Sequence, residues 1–486
     1  MAALAEILHE KGYEVRGSDI EKYVFTEDGL KERNIPILPF DPANIQENDT
    51  VIVGLSFGED HPEVAAARNT KGVEIYWYNE FLGKLLEDYN SICVAGCHGK
   101  STTTGILASV LEKGESTGFL IGDGHGHMPA DARNFVLESC EFQRHFLAYH
   151  PDYAIITNIE LDHVDYYKDL DDYISAFQSF VDQVKKGVVI FGDDPYLPKL
   201  NYKVPVVTYG LKDGNDFQAV NLVQSENGIE YDVIHKGEKL ISMHLPEIGM
   251  PFVWNSLGAF ALAYTLGMEP EAIYEGLLAY KGINRRFVVE EAGESILIDD
   301  YAHHPTAIRC MIDAARAKYP GKKVVALYKP DRYSRLQYFL DGFAQSLNTA
   351  DVQAVLDFDA NAKREDETIT VTIDDLLNKL DNGSLMTISQ EDAQKLADLG
   401  PAVYLFMSSK NIHLLKDLLK DYRAYLEWRP DGAIFFTECG GTLVRGGFMH
   451  CAPVPSPCGV APDSCAILRA SSPPFRLSGQ GFPLDV

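Results

Sequence analysis

Between residues 94 and 104 the chain reads Val94-Ala-Gly-Cys-His-Gly-Lys-Ser-Thr-Thr-Thr104, a run of residue types able to hold a chain of phosphates. Gly96 and Gly99 permit a tight turn with exposed backbone N–H groups. Lys100 places a cation on β- and γ-phosphates, and the Ser101 hydroxyl can reach Mg²⁺. Such a loop needs a strand before it and a helix after it. Residues 92–95 are an apolar run that suits a buried strand end, and residues 101–111 have helical character. The spacing is Gly-x-x-Gly-Lys-Ser, not the general Gly-x-x-x-x-Gly-Lys-Ser/Thr. On this segment alone, an ordinary helix-capping loop competes with a nucleotide site.

Four further segments end strand-like runs with polar groups. Glu138-Ser-Cys-Glu141 and Thr157-Asn-Ile-Glu-Leu-Asp-His163 offer carboxylates and a histidine suited to Mg²⁺. Taken singly, each reads equally as surface capping with a structural histidine. Asp299-Asp-Tyr-Ala-His-His-Pro305 and Lys329-Pro-Asp-Arg-Tyr-Ser-Arg335 stand where an open α/β sheet binds its ligands. Arg332 and Arg335, three apart on a strand-to-helix turn, can clamp a carboxylate or phosphate; solvated surface charge is the alternative. Cys97, beside the glycine loop, is either an oxidation-sensitive thiol or a passive small residue.

The elements that must carry these groups alternate between strand and helix. Residues 3–12 read as a helix, 13–15 as a short strand, 49–54 as a strand and 62–71 as a helix. The phosphate loop follows, with strands at 135–137, 153–158 and 187–191, a strand-rich insert at 216–245 and a helix at 255–267. Beyond Arg286 come a strand (295–298), helix (306–318), strand (323–328), helix (336–347) and strand (352–356), then strand 403–406 and helix 411–425. Repeated alternation predicts three successive α/β domains with parallel sheets covered on both faces. A chain of 486 residues, 46% hydrophobic, is long enough to bury several cores. Its net charge of −28 argues against a nucleic-acid surface or an anionic-membrane anchor. No basic leader with an apolar stretch opens it, and no run of about 18 apolar residues occurs, so stable membrane insertion is not expected and a cytoplasmic location is. Eight cysteines in so long a chain do not make a disulfide scaffold, and the four from Cys439 to Cys465 lack zinc-ligand spacing. From Glu427 onward Gly, Pro, Ser and Cys dominate without periodicity, which predicts a disordered or loosely attached tail.

Taken together and in order, these segments resemble the Mur ligases, which build peptidoglycan precursors. The markers are the 96–104 loop, Glu141-Phe-Gln-Arg-His-Phe146, Thr157–His163, Lys281-Gly-Ile-Asn-Arg-Arg-Phe287, Asp299–Pro305 and Arg332–Arg335. The Asp-Asp-Tyr-Ala-His-His-Pro segment points to the branch that adds L-alanine to UDP-N-acetylmuramate. The resemblance covers residues 1–425. It implies an α/β, three-domain architecture: a Rossmann-like UDP-sugar domain (1–87), a central P-loop ATPase-like domain (88–285) and a Rossmann-like C-terminal ligase domain (286–426), followed by an atypical tail (427–486). It implies ATP and Mg²⁺, with UDP-N-acetylmuramate and L-alanine as substrates and no nucleic-acid partner; oligomeric state is left open.

Residue by residue, the resemblance puts Gly96, Cys97, His98, Gly99, Lys100, Ser101 and Thr102 on the nucleotide phosphates, with Lys100 at the transferring group. Ser101, Glu141 and His163 become metal ligands, with His163 also counted among the catalytic set beside Lys100, Arg286 and His303. Asn255 falls on the adenine side, Arg286 on ATP, and Asp300 on nucleotide or hinge contacts. Asp19 falls in the UDP-sugar domain, and Tyr301, His303, Arg332 and Arg335 face the acceptor amino acid or the muramate carboxylate. Three segments depart from the family pattern. The first domain enters directly in a helix, without the opening strand and glycine loop, so poor UDP-sugar binding is expected if the chain begins there. Gly249-Met-Pro-Phe-Val-Trp-Asn255 replaces the usual Gly-x-His-Asn/Thr approach to the asparagine. Lys329-Pro-Asp331 replaces Gln-Pro-His, and Ser408-Ser-Lys-Asn411 replaces a glycine-rich turn, changing charge and backbone freedom near the arginines.

Overall fold

The computed structural model describes residues 1–20, 25–428 and 467–471. The chain forms two compact units. One contains residues 1–286 with 313–321 and 463–486, and the other residues 287–312 with 322–462. The first unit holds two sheets and the second holds one.

The first sheet is built on the buried run Val51, Ile52 and Val53. Thr50–Val53 pairs in parallel with Glu74–Trp77, and Glu14–Ser18 pairs in parallel with Ile37–Leu38. The helix Ala2–Glu10 packs with every residue from Ala3 to Leu8 buried. Its one carboxylate in that run, Glu6, accepts the Gly126 N–H at 2.9 Å and meets Arg33 at 3.3 Å, which satisfies a charge that burial would otherwise penalise. Gly126 has to be a glycine, because a Cβ there would stand 2.0 Å from the Ala3 carbonyl oxygen.

The strand expected to be missing from this sheet has a substitute. Ile467–Ser471 lies between Glu14–Ser18 and Thr50–Val53 and pairs antiparallel with both, so it occupies the sheet's centre. The expectation of a loosely attached tail is corrected for these five residues: two neighbours with unspent backbone groups give a strand there two complete ladders. Residues 429–466 and 472–486, which make up most of that tail, lie outside the described residues.

The second sheet has ten strands, and its parallel centre is covered on both faces. Alternation along each strand shows this. Ile92, Val94, Val136, Ile155 and Val189 enter one core with Ile106, Leu107 and Phe260. Cys93, Ala95, Phe135, Leu137, Ala154, Ile156, Val188 and Ile190 enter the other, with Phe146, Phe177 and Phe180. The expected strand-rich insert is an antiparallel meander, Phe217–Ser225, Gly228–His235 and Glu238–Leu245, at one edge. The helix read from 255 begins earlier, at Met250, because Pro251 sits in its first turn, where a missing N–H costs nothing.

In the second unit, six strands run in the order Val288–Ala292, Ser295–Asp300, Val403–Met407, Val324–Tyr328, Val352–Leu356 and Gly383–Met386, all parallel except the first. The single helix expected over 336–347 is two, Tyr333–Tyr338 and Leu340–Leu347, divided at Phe339 (φ −106°, ψ 21°). No helix among the described residues is long and apolar enough to cross a membrane.

The tail strand generates a prediction. Arg469→Pro removes one ladder N–H from a strand bonded on both sides, and should speed amide exchange at Val51, Ile52 and Val15 by at least about tenfold. Exchange at the native rate would reject the pairing.

Candidate active site

The glycine loop leaves the strand Asn90–Ala95, whose neighbours are Asn134–Glu138 on one side and Tyr153–Ile156 on the other. The next strands in sequence go to opposite sides of it, so the loop opens at a topological switch point, where the carboxyl ends of parallel strands leave a crevice. Gly96 (φ +133°) and Gly99 (φ +83°) hold backbone conformations that side chains disfavour, and neither has room for one. A Cβ would lie 2.1 Å from Thr157 Oγ1 at Gly96, and 2.5 Å from Asn255 Oδ1 at Gly99. The helix Lys100–Leu111 starts directly after Gly99, so the N–H groups of its first turn, including those of Ser101 and Thr102, have no intrahelical acceptor.

Lys100 folds back over its own loop. Its Nζ donates to the carbonyls of Gly96 (2.6 Å) and Cys97 (3.2 Å) and lies 2.8 Å from Glu141 Oε2. The side chain of Glu141 is only 1% exposed. Burial pushes its carboxyl up, but the Lys100 ammonium and then His163 outweigh that and hold it down at about 2. Burial works against the charged form of Lys100, and Glu141 reverses the balance, so the lysine's pKa is raised. Both groups are charged at neutral pH.

The remaining groups close around this pair. His163 Nε2 lies 3.6 Å from Glu141 Oε1, and His163 itself takes a left-handed backbone (φ +51°). Its buried Nδ1 has no hydrogen-bond partner among the described residues. Ser101 Oγ donates to Glu138 Oε1 at 2.9 Å and receives Arg286 Nη2 at 3.3 Å. Arg286 stands between two residues of positive φ, Arg285 and Phe287. His98 Nε2 lies 2.8 Å from Glu160 Oε2. Burial, followed by the nearby carboxylates of Asp162 and Glu141, raises the Cys97 thiol well above its ordinary value. That shift favours the protonated thiol over the thiolate.

Three contributors were not among the residues chosen from sequence. Glu138 shares the strand end with Glu141 and takes the Ser101 hydroxyl. Thr157 Oγ1 donates to the His98 carbonyl at 2.6 Å, and Asn158 takes the His98 N–H on Oδ1 at 2.9 Å while returning Nδ2 to the same residue's carbonyl. The signal for all three was present in the Glu138–Glu141 and Thr157–His163 segments. What sequence lacked was the register that aims them at the loop.

Elsewhere in the first unit, Asp19 ends the strand Glu14–Ser18 and lines a cleft with Ser18, Thr26, Glu27, Tyr78 and Gly122. Burial and the nearby Glu27 raise its carboxyl, partly offset by the Ile20 N–H. In the second unit, Asp300 spends both carboxylate oxygens on backbone: Oδ2 accepts the Phe287 N–H (2.8 Å) and Oδ1 the Ala302 N–H (2.7 Å). Tyr301 and His303 stack edge to face at 5.4 Å, with His303 Nδ1 on the Tyr301 carbonyl (2.8 Å). Arg332 caps the helix Tyr333–Tyr338, and Arg335, His303 and Arg332 all act on the carboxylate of Asp331.

Glu141→Gln should therefore destabilise the chain at pH 7 by about 1.5–3 kcal/mol, because it deprives a buried ammonium of its charged partner. Glu141 is depressed on folding, so its contribution is fully present above about pH 4.5 and is lost as pH falls toward about 2. In urea unfolding, the gap between native chain and variant should narrow across that window. A gap independent of pH would reject the ion pair.

Sequence comparison agrees with this geometry. Three family profiles match in order: "Mur ligase family, catalytic domain" over residues 1–90, "Mur ligase middle domain" over 94–263, and "Mur ligase, glutamate ligase domain" over 284–406. The UDP-N-acetylmuramate–L-alanine ligase of Pediococcus pentosaceus is 49% identical over 412 residues, covering 85% of this chain and 94% of that protein. The protein of the same name from Lactiplantibacillus plantarum is 45% identical over 421 residues, covering 87% and 96%. Among solved structures, the UDP-N-acetylmuramate–alanine ligase of Thermotoga maritima superposes with a TM-score of 0.72 at 26% identity, covering 87% of this chain and 97% of that one.

Proposed function

The chain belongs to the Mur ligase family, and from that premise we propose that it joins L-alanine to the lactyl carboxylate of UDP-N-acetylmuramate, converting ATP to ADP and phosphate. The observation that carries the reading is the buried Lys100–Glu141 pair, closed over a two-glycine loop at a sheet switch point. It is supported by the two relatives of that name that align with most of the chain.

A carboxylate is a poor acyl donor because oxide would have to leave. In the proposed reaction a carboxylate oxygen attacks the γ-phosphorus of ATP and ADP departs, giving an acyl phosphate. The neutral amine of L-alanine then adds to the acyl carbon, loses its proton, and inorganic phosphate leaves with the original carboxylate oxygen. No protein nucleophile is required. The first-turn N–H groups and the Lys100 ammonium offset charge on the phosphates during transfer, an electrostatic role set before substrate arrives. Lys100 can turn to them because two of its present partners are loop carbonyls. Arg286, already on Ser101, adds a second cation beside the same helix start.

The residues present fit a divalent cation. Ser101, Glu138 and Glu141 supply oxygen donors, and His163 brings its imidazole to the same carboxylate, so these are the groups that would hold it. Mg²⁺ held by these groups would neutralise phosphate oxygens. The cleft at Asp19 is where the first domain would receive the UDP-sugar, and His303, Arg332 and Arg335 are the groups for a carboxylate in the last.

The test is ADP release by the full chain with ATP, Mg²⁺ and UDP-N-acetylmuramate, with and without L-alanine, with the product checked by mass. L-alanine-dependent release with an amide product is expected. Lys100→Ala should lower the rate by at least about a hundredfold in a chain that is less stable, because Glu141 loses its partner, but still folded by circular dichroism at the assay temperature. Near-native turnover in that variant would remove Lys100 from the mechanism. Release that ignores L-alanine would remove the proposed acceptor.

A further inference from the structure

We infer that Gly122, on the wall of the Asp19 cleft, positions Glu138 for the glycine loop and thereby couples the cleft to the nucleotide site. The inference deepens the ligase reading above and rests on it for the identity of the two ligands. Glu138 ends the strand Asn134–Glu138, so only its side chain is free to move. Its two oxygens serve different sites: Oε1 accepts the Ser101 hydroxyl at 2.9 Å, and Oε2 accepts the Gly122 N–H at 2.6 Å. Gly122 is exposed and lines the cleft with Ile121, Gly124, Ser18 and Asp19. It stands against the carboxylate without room for a side chain, since a Cβ there would lie 2.8, 2.9 and 2.9 Å from Oε2, Cδ and Oε1. Tyr78, also on the cleft wall, is near enough for the Glu138 charge to add to burial in raising its hydroxyl's pKa.

The chemistry of Ser101 gives the tie its consequence. A hydroxyl has one hydrogen and two lone pairs. Glu138 takes the hydrogen and Arg286 Nη2, at 3.3 Å, takes one lone pair, which leaves the other for a cation on the phosphates. A carboxylate held at both oxygens has one position, so the hydroxyl keeps one orientation. With the cleft empty, the exposed Gly122 N–H can exchange Glu138 for water. A ligand that fills the cleft covers Gly122 and excludes that water, which favours the N–H on Glu138. The loop around Gly122 cannot absorb the difference. Ile121 N–H is bonded to the His125 carbonyl (3.0 Å), Asp123 Oδ1 holds the His125 N–H (3.1 Å), and Glu6 Oε2 holds the Gly126 N–H (2.9 Å). Occupancy of the cleft therefore fixes Glu138, and by linkage a nucleotide at Ser101 favours the filled cleft to the same degree. Gly122 acts through Glu138 and is a positioning residue.

The experiment measures, by calorimetry on the full chain without L-alanine, the binding of ADP with Mg²⁺ and of UDP-N-acetylmuramate, each alone and in the presence of the other. In the native chain the UDP-sugar should tighten ADP by at least about fivefold, and ADP should tighten the UDP-sugar by the same factor. Gly122→Ala, whose methyl displaces the Glu138 carboxylate, should weaken ADP alone by at least about fivefold and leave the two ligands independent. Gly124→Ala instead presses the same loop against Thr26, 2.8 Å from the added methyl, and should leave ADP alone at its native affinity. Unchanged ADP binding in Gly122→Ala overturns the inference, as does independent binding in the native chain. Equal losses in the two variants, which a merely structural role gives, also overturn it. If UDP-N-acetylmuramate does not bind the native chain, the substrate reading fails first, and the two variants then decide the positioning of Glu138 on ADP alone. Should Gly122→Ala not fold, the native chain decides: ADP with Mg²⁺ should slow amide exchange at Gly122 by at least about threefold, and an unmoved rate overturns the inference.

Discussion

An ammonium and a carboxylate 2.8 Å apart, both withdrawn from water, set the terms for everything around the glycine loop. Such a pair adds little net stability, because desolvating two ions offsets most of their attraction, yet removing either partner is severe. Its consequence here is geometric. Lys100 can reach Glu141 only by folding back across Gly96 and Cys97, whose carbonyls it also occupies, and that path requires the backbone that glycine allows at 96 and 99. Glu141 is pinned in turn: its backbone carbonyl takes the Tyr167 hydroxyl, and Tyr173 reaches Oε1. Lys100 and Glu141 follow two strands, Asn90–Ala95 and Asn134–Glu138, that are hydrogen-bonded neighbours, so sheet order brings the pair together.

Much of the site could be read from the chain because its residue types are scarce in combination. A glycine turn with Lys-Ser is ambiguous, but strand ends bearing Glu141, His163, Asp300 and Arg332 in that order are not. Direction was harder to read. Glu138 and Glu141 are three residues apart at one strand end, and nothing in their identities says that Glu138 takes the Ser101 hydroxyl while Glu141 takes the lysine. Register decides it, through the pairing of Val94 with Glu138. Asp300 is similar: its type suits a ligand contact, and the fold gives both its oxygens to backbone N–H groups.

The parallel strands were legible because burial on both faces makes them continuous apolar runs, as at residues 153–156 and 187–191. The helix Leu170–Val181 carries the required period, burying Tyr173, Ala176, Phe177, Phe180 and Val181 behind an Asp169 cap, although it was not among the elements assigned. Glu74–Trp77 is too short for its alternation to show. No local signal could have placed Ile467–Ser471, because what fixes that strand is two distant edges with unspent backbone groups. Long-range pairing of this kind is invisible to periodicity.

The two late departures from the family pattern, at 329–331 and 408–411, look independent in sequence and are one exchange in space. Ser408 Oγ donates to the Lys329 carbonyl at 2.7 Å, and Ser409 Oγ donates to Asp331 at 3.0 Å. The strand pairing that sets Tyr328 opposite Met407 brings the two segments together. A turn rich in glycine offers backbone freedom and no side-chain donor. Two serines remove that freedom, and one of them, Ser409, supplies a hydroxyl where a new carboxylate has to be satisfied. Asp331 without Ser409 would keep Arg335 but lose its third donor, and Ser409 without Asp331 would lose the acceptor of its half-buried hydroxyl. Each change makes the other tolerable, so the altered turn is compatible with a working site and does not by itself mark decay.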